Sequence, residues 1–314
     1  MGLFLLRRIL GLLPILFFAA MITFLLVYLT PGDPAIAMAG EFATPERIAE
    51  IREEMGFNDP FLVQFWSWAS GAFTGDLGTS LFNTTPVSEL VLNRMPVTLS
   101  LTLLAVLLSV VIGVPLGLVA GMRKNSLADR VLTILASLGI ATPHFWIGTM
   151  LVLFFALRMQ LLPATGYVPF TSDPWDWLLH MLLPAVALAA GTIAEIARQT
   201  RSGTIQVLER DHIRTARAMG VRTRKVVGKH VVKNAAIPVV TVLGVQVAHL
   251  LGGAVVVEQV FALPGLGQLL ITSVLQRDIP VIQGVVLMTA VIVVLVSLLV
   301  DLSYGYLNPK VRQT

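Results

Sequence analysis

Six long apolar segments dominate the pattern of residues along this chain. The first has no charged residue in 22 positions, and the others are of similar length. About 20 helical residues cross the roughly 30 Å of hydrocarbon in a bilayer. The pattern therefore predicts an all-α polytopic membrane protein with six transmembrane helices: Ile9–Thr30, Val97–Met122, Val131–Leu157, Leu178–Ile196, Ala235–Val257 and Pro280–Val300.

The apolar segments predict four parts of the chain. Residues 1–30 hold the first transmembrane helix, and residues 31–96 form an extracytoplasmic helical insertion with nine acidic residues against three cations. Residues 97–302 hold a core of five helices, and residues 303–314 form a C-terminal tail. The acidic insertion is open to two interpretations, a solvated cap or a docking and gating surface at the outer mouth.

Composition agrees with the membrane prediction, since only 13% of the 314 residues are charged, against about 25% in soluble domains. Lysine and arginine are also distributed unevenly. With the N-terminus inside, 17 of the 22 fall in segments on the inner side. Because cytoplasmic loops carry an excess of these residues, we expect a multi-pass plasma membrane protein with both termini in the cytoplasm. The net charge of +4 needs no nucleic acid to explain it.

Several chemistries have no residues to carry them. The chain has no cysteine, no P-loop motif and no zinc-protease or serine-hydrolase motif, and its five histidines are scattered. We therefore expect no catalytic residue, no cofactor and no resident metal. The predicted spans also lack the buried carboxylates that ion-coupled carriers use. A secondary transporter driven by an ion gradient and a membrane scaffold that does not transport remain the alternative classes.

Three smaller patterns concern the predicted spans and the outer side. Gln246 and His249 lie three residues apart, on one face of the fifth span, where they either line a polar path or hydrogen-bond to packed helices. Gly113 and Gly117 have the spacing that allows close helix packing. Residues 258–280 are too short and too interrupted to span, which predicts a re-entrant or interfacial element on the outer side. The residues that break it are Pro264, Gly265 and Gly267.

The most basic loop, residues 198–234, holds ten lysines and arginines. Cytoplasmic exposure explains its charge but not its small residues. A helix over Asp211–Thr223 would place arginines around a face made of Ile213, Ala216, Met219, Gly220 and Thr223. A face with such small side chains is suited to docking in a groove of another protein. We expect close approach to be the reason for a glycine within that helix, which costs about 1 kcal/mol relative to alanine.

The chain as a whole resembles the integral-membrane permease subunits of ABC importers, in the dipeptide, oligopeptide and nickel class. The strongest part of the resemblance is in this basic loop, with His212 and Met219 in place of the family's Tyr and Lys. The matching stretches, in chain order, are "LTPGDP" at residues 29–34, "PVTLSLTLLAVLLSVVIGVPLGLVAG" at 96–121, "DHIRTARAMG" at 211–220, "NAAIPVVT" at 234–241, "PGLGQLL" at 264–270 and "DLSYGYLNPKVR" at 301–312.

The resemblance implies a type I permease fold and uptake of di- or oligopeptides, with nickel or another small solute as the alternative. It implies four kinds of partner: a second homologous permease, two ATPase subunits that bind ATP and Mg²⁺, an extracytoplasmic substrate-binding protein and membrane lipid. Pro264, Gly265 and Gly267 would belong to an outer gate. The coupling helix that docks on an ATPase subunit would consist of Asp211, Ile213, Arg214, Ala216, Arg217, Ala218, Met219, Gly220 and Thr223.

Overall fold

A computed structural model of the chain is helical throughout the part it describes, apart from loops and one isolated bridge between Thr79 and Pro86. The chain divides into two compact units. One comprises Met1–Val97 with Gly265–Leu295, and the other comprises Thr98–Pro264 with Val296–Thr314. We call them the first and the second unit. The described residues are 2–29, 35–36, 44–54, 56, 58–221, 228 and 232–307.

Eleven named α-helices occupy the described ranges, with a π-helical segment at Val152–Arg158. The longest helix has 36 residues, which at 1.5 Å per residue exceeds the thickness of the hydrocarbon core. The helices are α1 Gly2–Leu29, α2 Pro45–Glu54, α3 Phe61–Thr74, α4 Val87–Met122, α5 Leu127–Ala141, α6 His144–Leu151, α7 Pro174–Leu208, α8 Asp211–Ala218, α9 Val232–Phe261, α10 Leu266–Gln276 and α11 Ile279–Leu307.

Four described helices are long and apolar enough to cross a membrane: α4, α7, Val239–Phe261 of α9 and Ile279–Val300 of α11. They contain or largely overlap the second, fourth, fifth and sixth predicted spans. A bent pair of helices supplies a fifth candidate. In α1, the apolar stretch with described side chains is Leu10–Leu25, so its role as another span stays a prediction.

The third predicted span is wrong as a single helix. Val131–Leu157 breaks at Thr142 and Pro143, and the helices Leu127–Ala141 and His144–Arg158 are bent by 105°. A proline disfavours helical geometry in the residue before it. Thr142 accordingly adopts φ −88° and ψ 128°, and Pro143 adopts φ −63° and ψ 140°. The helix restarts at His144.

In the second unit, α4 and α7 approach each other closely at three glycines. A Cβ on Gly113 would lie 2.8 Å from the carbonyl oxygen of Ile193, and one on Gly121 would lie 2.6 Å from Cβ of Thr204. Gly117, between them, would meet the carbonyl oxygen of Ala197. The three glycines recur every four residues on one side of α4, as the spacing of Gly113 and Gly117 predicted.

In the first unit, the insertion contains α2 and α3. Thr44 begins α2 by accepting a hydrogen bond from the backbone N–H of Arg47 at 3.3 Å, and Gly56 lies just beyond its end with φ +67°. The predicted boundary at residue 96 falls inside a helix, because α4 starts at Val87. A hydrogen bond of 2.5 Å from Ser80 Oγ to Asp278 Oδ2 ties the loop before α4 to the start of α11.

Candidate functional site

A polar cavity of about 370 Å³ lies in the second unit, where α5, α6, α7 and α9 meet. It contains the two residues that the sequence pattern assigned to a path. Of the described residues that line it, Glu195 alone carries a formal charge at neutral pH. The polar side chains on its wall belong to Thr142, His144, Thr192, Glu195, Gln246 and His249.

The break between α5 and α6 forms one wall of the cavity. Thr142 and Pro143 both line it, and neither has helical backbone geometry. The hydroxyl of Thr142 donates to the carbonyl oxygen of Leu138 at 2.6 Å. Non-helical backbone is tolerated at membrane depth only where it is buried in protein or lines a water-filled cavity. The break therefore brings backbone polar groups to the same place as the polar side chains.

His144 is held between two glycines of neighbouring helices. A Cβ on Gly191 of α7 would lie 3.5 Å from Cε1 of the imidazole, and one on Gly253 of α9 would lie 3.2 Å from its Cδ2. Nδ1 lies 3.3 Å from the carbonyl oxygen of Ala187. Because a carbonyl oxygen only accepts, this bond requires the proton on Nδ1. In the neutral ring, Nε2 is then an acceptor.

Gln246 and His249 lie on the α9 wall of the cavity, as their spacing of three residues predicts. The hydroxyl of Thr192 donates to Oε1 of Gln246 over 3.4 Å, which is at the long end for a hydrogen bond between neutral groups. Gln246 thus has a helix-packing contact as well as a place on the cavity wall. His249 is exposed. The two alternatives from sequence both describe part of this arrangement.

Glu195, at the end of the predicted fourth span, is mostly buried and hydrogen-bonded. Its side chain is 15% exposed, and it accepts hydrogen bonds from Arg198 Nη2 at 2.6 Å and from Gln199 Nε2 at 3.1 Å. All three residues belong to α7. Sequence reasoning did not assign His144, Thr192 or Glu195 to the path. The Thr-Pro pair before His144 was the available signal, because a proline disfavours helical geometry in the residue before it.

The helix in the basic loop, α8, is shorter than predicted. The residues of its predicted docking face also differ in burial. Ile213 of α8 is fully buried and packs with Val207, and partly buried Leu118, Leu208 and Val221 pack against this pair. Met219 is 73% exposed. Asp211, Ala218 and Gly220 are exposed as well. Thr223 and the side chains of Arg214, Ala216 and Arg217 lie outside what the structure describes.

Gly220 lies outside the helix, so the expectation that it belongs to a helix is wrong. The helix ends at Ala218, and Gly220 has φ +76°, in open space where an added Cβ would meet no atom within 4 Å. Left-handed geometry just beyond a helix favours glycine, since other L-residues are strained there. Backbone conformation is thus the reason for this glycine within the chain.

Two ion pairs join the start of α5 and the loop before it to the C-terminal part of α7. Asp129 is buried, at 3% exposure, and its Oδ2 accepts from Arg201 Nη2 at 2.8 Å, while Arg201 Nε donates to the other carboxylate oxygen. Ser126 caps α5 by accepting from the backbone N–H of Asp129 at 3.2 Å. Lys124 Nζ contacts Glu209 Oε1 at 2.7 Å. These contacts fix the start of α5 and the loop before it to α7.

The predicted outer element also has different bounds. α9 continues to Phe261, and Glu258 within it is fully buried, accepting a 2.6 Å hydrogen bond from Thr98 Oγ1 of α4. A separate helix follows, α10, which is too short to span. Gly265 precedes it and is buried together with Gly267, whereas Pro264 is partly buried.

The chain matches two families of transport proteins. Residues 113–313 match the family described as binding-protein-dependent transport system inner membrane component. Residues 1–102 match the N-terminal family of the same transport-system membrane components. Together the matched ranges take in most of the chain.

Relatives match along nearly the whole chain. A Brucella abortus (strain 2308) protein named as a putative peptide transport system permease is 42% identical over 98% of each chain. A Salmonella choleraesuis (strain SC-B67) protein, the glutathione transport system permease GsiC, is also 42% identical over 98% of each chain. A chain of the inward-facing MetNI methionine ABC transporter aligns with a TM-score of 0.58 at 19% identity, covering 70% of this chain and 96% of that one.

The apolar helices indicate an integral-membrane protein, and the structural likeness to the MetNI chain shows the type I permease fold. The family match then identifies the chain: it belongs to the binding-protein-dependent transport system inner membrane components, and it is a permease subunit of an ABC transporter. Expectations about family, fold class and transport role are confirmed at this level. Membrane spans are supported as four described helices with a fifth, bent candidate.

Proposed function

We propose that this permease takes up di- or oligopeptides in an ATP-driven importer. The names of its relatives, a peptide permease and a glutathione permease at 42% identity, support a substrate made of amino acids. The observation that carries a transport path in this chain is the cavity at the helix break. Its backbone groups and neutral hydrogen-bonding side chains suit peptide amides, which need both donors and acceptors.

In the proposed assembly, this subunit pairs with a second, homologous permease around the path. Two ATPase subunits bind ATP and Mg²⁺ on the cytoplasmic side, and an extracytoplasmic protein delivers the peptide. The distribution of lysine and arginine supports cytoplasmic termini, with the insertion at residues 31–96 outside. Pro264, Gly265 and Gly267, at the start of α10, would form part of the outer gate.

Coupling to the ATPases would run through α8 and the residues that follow it. The exposed surface of Met219 and Gly220 would enter the ATPase cleft, with further contacts from Asp211, Arg214, Ala216, Arg217, Ala218 and Thr223. Ile213 has a different role in this proposal. Because it is buried against Val207, it would anchor α8 to the permease rather than touch the ATPase.

The cavity gives the first prediction. Replacing both Gln246 and His249 with leucine removes two hydrogen-bonding side chains from its wall, each worth about 0.5–1.5 kcal/mol. Since about 1.4 kcal/mol corresponds to tenfold, we expect peptide uptake to fall about tenfold. The measurement is ATP-dependent uptake of a labelled dipeptide into proteoliposomes that contain the whole transporter.

The matched control replaces Asn93, an exposed residue of α4 that does not line the cavity, with leucine. It should leave uptake unchanged, and the double variant should still assemble with its partners. Wild-type uptake in the assembled double variant would make the two residues packing groups and remove them from the path. Uptake that persists without ATP but follows an imposed ion gradient would instead overturn the ATP-driven assignment.

The left-handed conformation of Gly220 gives a second prediction. Alanine at this position costs about 1–2 kcal/mol in left-handed geometry, whereas asparagine adopts that geometry more readily. There is open space around the position. We therefore expect Gly220→Ala to lower coupled uptake about tenfold, and Gly220→Asn to retain most of it. Equal loss in both variants would indicate that side-chain bulk against an ATPase, rather than backbone geometry, decides the effect.

A further inference from the structure

The short helix α3 of the first unit has apolar side chains on both sides. It contains no charged residue in 14 positions. Phe65 is buried, with 1% exposed, whereas Leu62 and Trp66 are each 61% exposed and Phe73 is 93% exposed. A water-exposed helix of a cap domain has a polar outer face, with charged residues. The exposed face of α3 instead combines large apolar side chains with three small hydroxyl residues, Ser67, Ser70 and Thr74, and has no charge. Water would therefore solvate most of this face poorly.

α3 packs on α1 well below the end of that helix. The ring centroid of Phe65 lies 5.7 Å from those of both Phe17 and Phe24, and Trp68 lies 5.6 Å from Phe24. α1 ends at Leu29. At 1.5 Å per residue, Phe24 is about 8 Å and Phe17 about 18 Å from that end. A helix crossing α1 there lies at the depth of acyl chains if α1 spans the bilayer.

The apolar surface of α3 is continuous with that of α1. Phe17 contacts Trp66 of α3, with ring centroids 6.5 Å apart, and is itself 41% exposed. Further exposed apolar side chains of α1 flank this contact, among them Leu13, Phe18 and Ile22. In a transmembrane helix, an exposed apolar surface of this kind faces lipid. Lipid that covers α1 here would therefore also cover the outer face of α3.

Two hydroxyl groups of α3 are already satisfied by its own backbone. Ser70 Oγ donates to the carbonyl oxygen of Ser67 at 2.9 Å, and Thr74 Oγ1 donates to that of Gly71 at 2.9 Å. Such bonds let hydroxyls do without water. Charged residues appear only beyond the two ends, at Asp59 and Asp76. This distribution matches a helix lying in the interface, with its ends near the headgroups.

We propose that α3 is an interfacial helix embedded beside α1 in the leaflet at the Leu29 end, with Leu62, Trp66 and Phe73 among lipid acyl chains. The expectation of a wholly solvated cap then holds for α2 and not for α3. The insertion would be fixed to the bilayer beside the mouth of the transporter. The apolar outer face, the depth of the contact with α1 and the internally bonded hydroxyls all support lipid as its occupant.

Site-directed spin labelling tests this directly, because the chain contains no cysteine. Single cysteines replace Leu62, Trp66 or Phe73 in the assembled transporter, reconstituted in phosphatidylcholine and phosphatidylglycerol bilayers with cysteine-free partners. Leu13→Cys, on exposed α1, is the lipid control, and Ala49→Cys, on exposed α2, is the aqueous control. The readouts are collision with oxygen, which partitions into lipid, and with a water-soluble nickel chelate.

We expect the three α3 labels to match Leu13 in oxygen accessibility and to lose the nickel-chelate accessibility seen at Ala49. Chelate accessibility equal to that at Ala49 would overturn the proposal in favour of a solvated cap. Low accessibility to both reagents would also overturn it, because it would mean that another protein covers α3. Retained ATP-dependent uptake in each labelled variant shows that the helix is native.

Discussion

Replacing Gly117 with alanine is expected to destabilise the permease strongly, because the added methyl group has no room between two helices. The new Cβ would meet the carbonyl oxygen of Ala197 and would lie 2.6 Å from Cβ of Thr200. Neither atom belongs to the free end of a flexible side chain, so relief requires α4 and α7 to move apart. Overpacking of this kind costs about 1–3 kcal/mol, sometimes more. Replacing Gly117 with valine should destabilise the protein more than replacing it with alanine.

Thermal unfolding of the detergent-solubilised complex, followed by size-exclusion chromatography, measures the effect. Gly252→Ala in α9 is the matched control, since no atom lies within 4 Å of its added carbon. There the helix propensity of alanine adds up to about 1 kcal/mol of stability. We therefore expect opposite shifts in melting temperature for the two variants. If the Gly117→Ala protein has the same melting temperature as the control, α4 and α7 separate at little cost in free energy.

The packing of α4 on α7 was accessible from sequence for a simple reason. Glycine spaced by four residues in an apolar helix has a local meaning that needs no knowledge of the partner. The identity of that partner, the backbone of α7 at Ile193 and Ala197, was not accessible. It depends on which helix faces the glycines, and apolar periodicity does not encode this.

The break at Thr142 and Pro143 shows where hydropathy fails. A scan for apolar segments treats the 27 residues from Val131 to Leu157 as one span, because none is an Asp, Glu, Lys or Arg. The conformational restriction that proline places on the preceding residue is independent of hydropathy. Its consequence, a 105° bend at a polar cavity, requires the tertiary structure that stabilises the unpaired backbone.

The conformation of Gly220 and the partner of Glu258 both depend on information that their positions in the sequence do not carry. A glycine two residues past a helix end and a glycine inside a helix differ only in where the helix stops, and helix ends are poorly encoded in sequence. Glu258 lies close to the end of the predicted fifth span, and sequence alone does not show its surroundings. In the structure it is enclosed and bonded to Thr98, 160 positions earlier in the chain, a partner that no local pattern identifies.

Gln246 and His249 were found because polar residues are rare within an apolar span, and a spacing of three puts them on one helix face. The remaining polar wall comes from α6, α7 and the break that precedes α6. His144 and Thr192 lie in predominantly apolar stretches of the sequence, and only the fold brings them to the same cavity. Pairs on one helix are thus predictable, whereas a site assembled from four helices is not.

Ile213→Ala is expected to uncouple ATP hydrolysis from transport, and this effect should be the largest on function. Ile213 is fully buried and joins α8 to Val207 of α7, with Leu118 of α4 packed against them. Truncating a buried isoleucine to alanine costs about 2–5 kcal/mol. Because about 1.4 kcal/mol is tenfold, the docked position of α8 should be populated at least about tenfold less. Motion imposed on α8 would then reach α4 and α7 poorly.

The assay compares peptide uptake with ATP hydrolysis in the same proteoliposomes. In the Ile213→Ala transporter, uptake should fall about tenfold or more, while ATPase subunits still co-purify and ATP is still hydrolysed. The same substitution at Ile134, which is 59% exposed on α5, removes equal volume at an exposed position and should leave both activities intact. If uptake and hydrolysis both stay at wild-type levels, the connection from α8 to the permease does not pass through Ile213. If the ATPases no longer co-purify, this residue supports docking itself, and the division of α8 into a buried anchor and an exposed docking surface is wrong.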